Sequence, residues 1–187
     1  MMPLGTKMPD FELMDVVTGQ KVSPAQFSDK QLLLIMFICR HCPYVQHVKK
    51  ELVKLANDYK DKGVGVIAIS SNDAEAFPED APESLKEMAL QEGFPFPLLY
   101  DEMQDVAKVF TAACTPDFFV FDRERKLVYR GQLDDSRPDN GKPVTGADLR
   151  AALDAVLSRL PVNQDQKPSS GCNIKWKAGN EPDYFLR

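Results

Sequence analysis

Residues 32–38 read LLLIMFI, and this unbroken apolar run constrains the fold more than any other feature of the chain. A run of this length fits a strand, and it is far shorter than the roughly 18 residues that a membrane span needs. A strand without polar alternation is covered on both faces, as in sheets that have helices on both sides. The run therefore predicts a central strand in a layered α/β domain.

Helices and strands alternate after this run. Residues 43–61 repeat apolar side chains at spacings of three and four, which indicates a helix, and residues 64–69 (VGVIAI) form a second buried strand. Ahead of the run, residues 11–14 and 20–22 flank a Thr-Gly turn and predict an N-terminal β-hairpin. The order implies an α/β fold with a central mixed sheet flanked by helices. The further elements are expected at 82–92, 96–100, 103–112, 117–121, 126–131 and 147–160.

Composition excludes several classes of function. The 187 residues carry a net charge of −5 without a dense run of Lys and Arg, so we expect no nucleic-acid partner. The N-terminal residues lack a basic region followed by an apolar one, so we expect no signal peptide, no membrane partner and a cytoplasmic location. Four cysteines are too few for a disulfide scaffold. In a reducing compartment, a close pair of cysteines indicates redox or metal chemistry.

The end of the chain differs from the rest in composition. Residues 161–187 are polar and rich in Pro, Asn, Gln and Lys, yet they contain GCNIKW, in which Ile174 and Trp176 alternate with polar residues. Such a segment resembles a short strand that docks on a larger body. We therefore expect one domain over residues 1–160 and an extended C-terminal tail over residues 161–187 that packs on it.

The candidate chemistry lies in FICRHCPYV, where Arg40 and His41 separate Cys39 from Cys42. The motif joins the buried strand to the following helix, and α/β proteins place their sites at such junctions. Pro43 fits the first helical position, which makes Cys42 the N-cap and directs its sulfur toward free backbone amides. We predict that these amides, with the positive charges of Arg40 and His41, lower the pKa of a thiol.

A second segment, CTPDFFVF, supplies the other candidate site residues. We expect Pro116 at the start of a strand, because proline cannot donate to a sheet ladder. In the cis form, the bond between Thr115 and Pro116 would bring this loop against the turn between the two cysteines. Cys114 and Cys172 are candidate auxiliary thiols, and each can equally be a small packing residue.

The motifs FICRHCPYV, CTPDFFVFD, YRGQLDDSRPDNGKPVTG and GCNIKWK together resemble the thioredoxin-like AhpC/TSA superfamily, in its peroxiredoxin-like branch that carries a CxxC. The resemblance covers nearly the whole chain. It implies a thioredoxin fold, redox roles for Cys39 and Cys42, and a cis-proline role for Pro116. The chain departs from the peroxiredoxin pattern because Cys39 replaces the usual Thr or Ser, and the arginine expected near Thr115 is absent.

The leading functional prediction is a thiol–disulfide oxidoreductase that needs no cofactor. Its partners would be protein or small-molecule disulfides and thiols. By analogy with thioredoxin, and because we expect it to be the more exposed thiol, Cys39 attacks and Cys42 resolves the mixed disulfide. The helix start and the peroxiredoxin pattern instead indicate Cys42 as the more activated sulfur.

Two other functions stay open at this point. One is a thiol peroxidase that works through Cys42. The other is a non-catalytic metal-binding module, in which His41, His47 and Cys114 would supplement the cysteine pair, since zinc takes four ligands. Because His41 lies inside the CxxC, it can hardly bind a metal together with both sulfurs, and we expect no metal.

Overall fold

The computed structural model describes residues 1–186. The strands are β1 Leu13–Asp15, β2 Lys21–Val22, β3 Leu32–Phe37, β4 Val64–Ser70, β5 Leu98–Tyr100, β6 Cys114–Thr115, β7 Asp117–Phe121, β8 Leu127–Gly131 and β9 Cys172–Asn173. The main sheet has seven strands in the order β2-β1-β5-β4-β3-β7-β8. Strands β6 and β9 form a separate small sheet.

Strand β3 lies inside the main sheet, where it pairs with β4 in parallel and with β7 in antiparallel orientation. Its side chains alternate between the faces, as a strand requires. Leu34 and Met36 pack in the core on one face, while Ile35 and Phe37 pack in the core on the other. The prediction of a doubly covered strand in a mixed sheet is therefore confirmed, and the fold is thioredoxin-like.

Helices cover both faces of this sheet: α1 Pro43–Tyr59, α2 Pro82–Glu92, α3 Asp105–Phe110 and α4 Ala147–Leu157. Helices α1, α2 and α4 pack on one face, and α3 packs on the other. Helix α3 is shorter than the expected 103–112, because Gln104 and Thr111 at its ends adopt left-handed backbone conformations. None of the helices within residues 1–186 is long and apolar enough to cross a membrane.

The predicted tail contacts the rest of the chain along its length. Strand β9 pairs antiparallel with β6, and Ile174 and Trp176 are buried in the core that contains α3. Gly171 lies so close to Thr115 that a Cβ atom there would be 2.0 Å from the Thr115 carbonyl oxygen, so only glycine fits. The boundary at residue 160 stays a prediction, and Arg187, the last residue of the predicted tail, lies outside the described residues.

Candidate active site

The two cysteines of the CxxC lie where β3 ends and α1 begins. Helix α1 starts at Pro43, and Cys42 is its N-cap in an extended conformation. Cys39 and Cys42 are each 0% exposed. The expectation that Cys39 is the more exposed thiol is therefore wrong, because the Thr115–Pro116 loop packs directly over both sulfurs.

This loop makes the contacts that define the site. The peptide bond between Thr115 and Pro116 is cis. The Cys39 sulfur lies 3.2 Å from Thr115 Oγ1, and the Cys42 sulfur lies 3.2 Å from the Thr115 carbonyl oxygen. Thr115 is itself buried. One residue thus contacts both sulfurs, although it is 76 and 73 positions from them in the sequence.

The two thiols of the CxxC differ in acidity. Interaction with the Cys39 thiol, helped by Cys172 and the Val45 N–H, lowers the pKa of Cys42 to about 4, while burial opposes the shift. The interaction with Cys42, burial and the negative charge of Asp80 all raise the pKa of Cys39 above its ordinary value. Cys42 is therefore the more acidic of the two thiols, as expected for a sulfur at a helix N-terminus.

Asp80 organises the turn between the cysteines, and the sequence analysis missed it. Its buried carboxylate accepts hydrogen bonds from the backbone N–H groups of Arg40 (2.7 Å) and His41 (3.1 Å). It also contacts His41 Nδ1 and accepts a bond of 2.8 Å from the Asn72 amide. The His41 ring stacks on Phe77, with 5.3 Å between centroids. Nothing in the polar run NDAEAFPED distinguishes this carboxylate from its neighbours.

The spacer residues act differently from the prediction. The Arg40 guanidinium donates to the Ser84 carbonyl oxygen (2.8 Å) and to the Glu87 carboxylate (2.6 Å) on α2. His41 is held by the carboxylate of Asp80. The main causes of the lowered Cys42 pKa are hydrogen bonds from thiols and backbone amides, not the charges of the spacer. Arg40 and His41 therefore anchor the turn.

One group of side chains offers potential metal ligands. Ligand atoms of Cys39, His41 and Asp80 lie within 4.8 Å of one another. The Asp80 carboxylate already has four hydrogen-bonding partners, and zinc requires a fourth ligand. His47 is another candidate metal ligand, but its Nε2 atom lies 2.7 Å from the Ser136 hydroxyl oxygen. We therefore interpret the group as a hydrogen-bond network that positions the turn.

The two auxiliary thiols differ in their surroundings. Burial, together with the charge of Asp117, raises the pKa of Cys114 to about 12, and its sulfur lies 3.7 Å from the Pro116 carbonyl oxygen. Cys172 is half-buried and is paired in the small sheet with Thr115, whose carbonyl oxygen contacts the Cys42 sulfur. The structure therefore brings Cys172 beside the active-site loop, and Cys114 is a buried thiol with a raised pKa.

The thiolate of Cys42 is expected to persist into the acid range. With its pKa lowered to about 4, the ultraviolet thiolate absorbance of the reduced protein should disappear with a midpoint near pH 4. Cys42→Ser should remove this transition, and Cys114→Ser should keep it. An ordinary thiol titrates near pH 8.5, and a single transition there would contradict the assignment. Because the folded-state pKa is lowered, the reduced protein should also lose stability as the pH falls from about 8.5 to about 4.

Comparison with known proteins gives the family. Residues 3–149, most of the chain, match the Redoxin family. The chain belongs to the Redoxin family. This membership supports a redox function in general for the protein. No curated protein matches it.

Several solved structures are similar to this chain. An uncharacterized conserved protein from Geobacillus kaustophilus is 59% identical with a TM-score of 0.92, over 95% of this chain and 94% of that one. A hypothetical protein from Sinorhizobium meliloti 1021 is 52% identical with a TM-score of 0.94, over 96% and 97% of the chains. Peroxidoxin BcpB from Mycobacterium tuberculosis, 20% identical over 84% and 96% with a TM-score of 0.61, shares the fold.

Proposed function

We propose that this protein is a thiol–disulfide oxidoreductase in which Cys39 and Cys42 cycle between dithiol and disulfide. The observation that carries this proposal is the contact of both sulfurs with Thr115, beside a helix N-terminus. A buried pair with one thiol and one thiolate is suited to two-electron exchange. Neither step of the exchange requires a cofactor.

The reaction runs in two displacements. The Cys42 thiolate attacks one sulfur of a substrate disulfide, and the other substrate sulfur leaves as a thiolate. The Cys39 sulfur then attacks Cys42 in the mixed disulfide, the second substrate sulfur leaves, and the Cys39 proton neutralises a leaving thiolate. The products are the Cys39–Cys42 disulfide, one substrate thiol and one substrate thiolate, which takes its proton from solvent.

Burial of the pair bears on the class of substrate. Both sulfurs are 0% exposed, so a protein disulfide reaches Cys42 only if the Thr115–Pro116 loop moves. A small-molecule disulfide needs a smaller opening. We therefore propose small disulfides as the preferred substrates.

A thiol peroxidase is the second candidate. Two observations favour it. The pKa of Cys42 is lowered, and the buried Cys42 sulfur is easier to reach for a peroxide than for a bulky disulfide. Peroxide chemistry also benefits from a free cation near the sulfur, which stabilises the developing charge. The nearest candidates are engaged elsewhere, since Arg40 is paired with Glu87 and Arg130 with Asp117. The pairing of these two arginines with carboxylates favours disulfide exchange over peroxide reduction.

Turnover with two substrates separates these candidates. With dithiothreitol as the electron donor, the wild-type protein should reduce a small aryl disulfide over many turnovers. Cys42→Ser should not reduce it. Hydrogen peroxide with the same donor should be consumed no faster than without protein. Rapid peroxide consumption with slow disulfide reduction would overturn the proposal and identify a peroxidase. Cys114→Ser serves as the matched control, because it removes a buried thiol outside the reacting pair.

A further inference from the structure

The segment around Cys172 is fixed against the active site. Its strand pairs with the loop that covers the CxxC, with Cys172 opposite Thr115. The close approach of Gly171 to the Thr115 carbonyl leaves no room for a side chain at that position. On the other side, the Ile174 N–H donates to the Ala113 carbonyl at 3.2 Å, and the Ile174 side chain is 1% exposed. Cys172 is therefore held in place from both directions.

Two other cysteines lie near Cys42. Thr115 contacts the Cys42 sulfur through its carbonyl oxygen at 3.2 Å and is also the sheet partner of Cys172. Cys39 lies three residues before Cys42, and both Cys39 and Cys172 contribute to the lowered pKa of Cys42. A disulfide needs Cβ atoms about 3.5–4.5 Å apart, and this separation is set by the backbone, which here pairs Cys172 with the residue that contacts the Cys42 sulfur. Cys42 thus has two potential disulfide partners.

These two partners differ in access to solvent. Cys39 and Cys42 are both fully buried, so a disulfide between them offers no sulfur to an external thiol. Cys172 is only half-buried. A disulfide between Cys42 and Cys172 would include one cysteine that is partly open to solvent. The site therefore lacks a reducible sulfur unless Cys172 takes part or the covering loop opens.

We propose that Cys172 is a third redox cysteine, which exchanges into the Cys39–Cys42 disulfide and carries it to the surface for reduction by a small thiol. This inference rests on the proposed oxidoreductase function. In the exchange, the Cys172 sulfur loses its proton and attacks Cys42, the Cys39–Cys42 bond breaks, and Cys39 leaves and takes up a proton. The number of disulfides is unchanged, so no further oxidant is needed.

Reduction then follows from the surface. A small thiol attacks the Cys172 sulfur, the Cys42–Cys172 bond breaks, and Cys42 leaves as a thiolate. A second thiol attacks the external sulfur of the resulting mixed disulfide and releases Cys172. Electrons balance, because two thiols become one external disulfide while one internal disulfide becomes two thiols. Cys42 is the best leaving group of the three, since thiols of low pKa leave fastest.

The oxidation state of Cys42 also controls the reactivity of Cys172. Burial, followed by the hydrogen bond and charge of the Cys42 thiolate, raises the pKa of Cys172 to about 11 in the reduced protein. When Cys42 is part of a disulfide, its negative charge is gone and these two contributions vanish. Lys175, which lowers the pKa of Cys172, remains. Cys172 therefore becomes a better nucleophile when the pair is oxidised.

Disulfide mapping tests the exchange. The reduced protein is oxidised with glutathione disulfide, quenched with acid, alkylated and digested without reduction for mass spectrometry. We expect a Cys42–Cys172 peptide beside the Cys39–Cys42 peptide in the wild type, and Cys42–Cys172 as the disulfide of Cys39→Ser. Absence of the Cys42–Cys172 peptide from both proteins would overturn the inference.

Reduction kinetics separate this inference from the proposed function. In Cys172→Ser, the Cys39–Cys42 disulfide should still form, but its reduction by glutathione should be at least about tenfold slower than in the wild type. Cys114→Ser, matched in chemistry, should be reduced at the wild-type rate. If Cys172→Ser forms the disulfide and is reduced as fast as the wild type, the inference alone fails. If neither the wild type nor Cys172→Ser forms a Cys39–Cys42 disulfide, the proposed function fails as well.

Discussion

In a background that lacks Cys172, Cys39→Ser should accumulate a mixed disulfide between Cys42 and glutathione, and Cys42→Ser should form almost none at Cys39. The reason is the surroundings that each sulfur keeps in these variants. The Val45 N–H still lowers the pKa of Cys42 after Cys39 is replaced, whereas burial and the charge of Asp80 still raise the pKa of Cys39 after Cys42 is replaced. Both variants retain one cysteine of the pair, so they differ only in which sulfur remains.

The size of the effect depends on two opposing trends. The thiolate fraction falls about tenfold for each pH unit below the pKa, while a thiolate of higher pKa is intrinsically more nucleophilic, with a Brønsted slope of about 0.4–0.5. The first trend dominates for a thiol that titrates above neutral pH. At pH 6 we expect Cys42→Ser, which keeps only Cys39 of the pair, to react with glutathione disulfide at least about tenfold more slowly than Cys39→Ser does.

Mass spectrometry of the intact proteins after timed exposure to glutathione disulfide measures this difference. The Cys172→Ser protein is the parent for both variants, and removal of Cys114 in the same background controls for thiols outside the pair. The opposite pattern, with rapid adduct formation at Cys39 and none at Cys42, would show that Cys39 is the attacking thiol, as in the analogy with thioredoxin.

Asp80→Ala should destabilise the reduced protein by about 3–5 kcal/mol. The carboxylate is fully buried and serves the backbone N–H groups of Arg40 and His41, together with the Asn72 amide. Its removal leaves buried donors without acceptors, and each unsatisfied group costs about 1–3 kcal/mol. Glu79→Ala is the matched control, because that neighbouring carboxylate is exposed and should change stability by less than about 0.5 kcal/mol.

Urea unfolding of the reduced proteins measures both free energies. Asp80→Asn adds a chemical readout, since it keeps one acceptor oxygen but removes the negative charge that raises the pKa of Cys39. The pKa of Cys39 should therefore fall in Asp80→Asn, even if the protein is nearly as stable as the wild type. If Asp80→Ala and Glu79→Ala unfold at the same urea concentration, Asp80 does not hold the turn.

Local sequence features predicted the framework of the fold. The run at 32–38 forms β3 with both faces buried, and the periodic segment at 43–61 forms α1 followed by a short 3-10 turn. These patterns report the burial of each element directly, because side-chain period follows from backbone geometry. The start of α1 at Pro43 is equally local, since proline suits the first helical position.

The environment of the sulfurs could not be predicted in the same way. It depends on contacts between residues far apart in the chain, such as Thr115 with Cys39 and Asp80 with the backbone of Arg40. A carboxylate in a polar loop has no periodic pattern that would reveal its burial. The expected exposure of Cys39 failed for this reason, because distant segments cover it.

A glutathione redox titration tests the central claim most directly. The protein is equilibrated at a series of ratios of glutathione to its disulfide, free thiols are alkylated, and each cysteine is quantified by mass spectrometry. We predict that Cys42 loses its free thiol in one two-electron step, matched by the summed loss of free thiol at Cys39 and Cys172, while Cys114 stays reduced throughout. If Cys39 and Cys42 stay reduced at every ratio, the redox-pair account is contradicted.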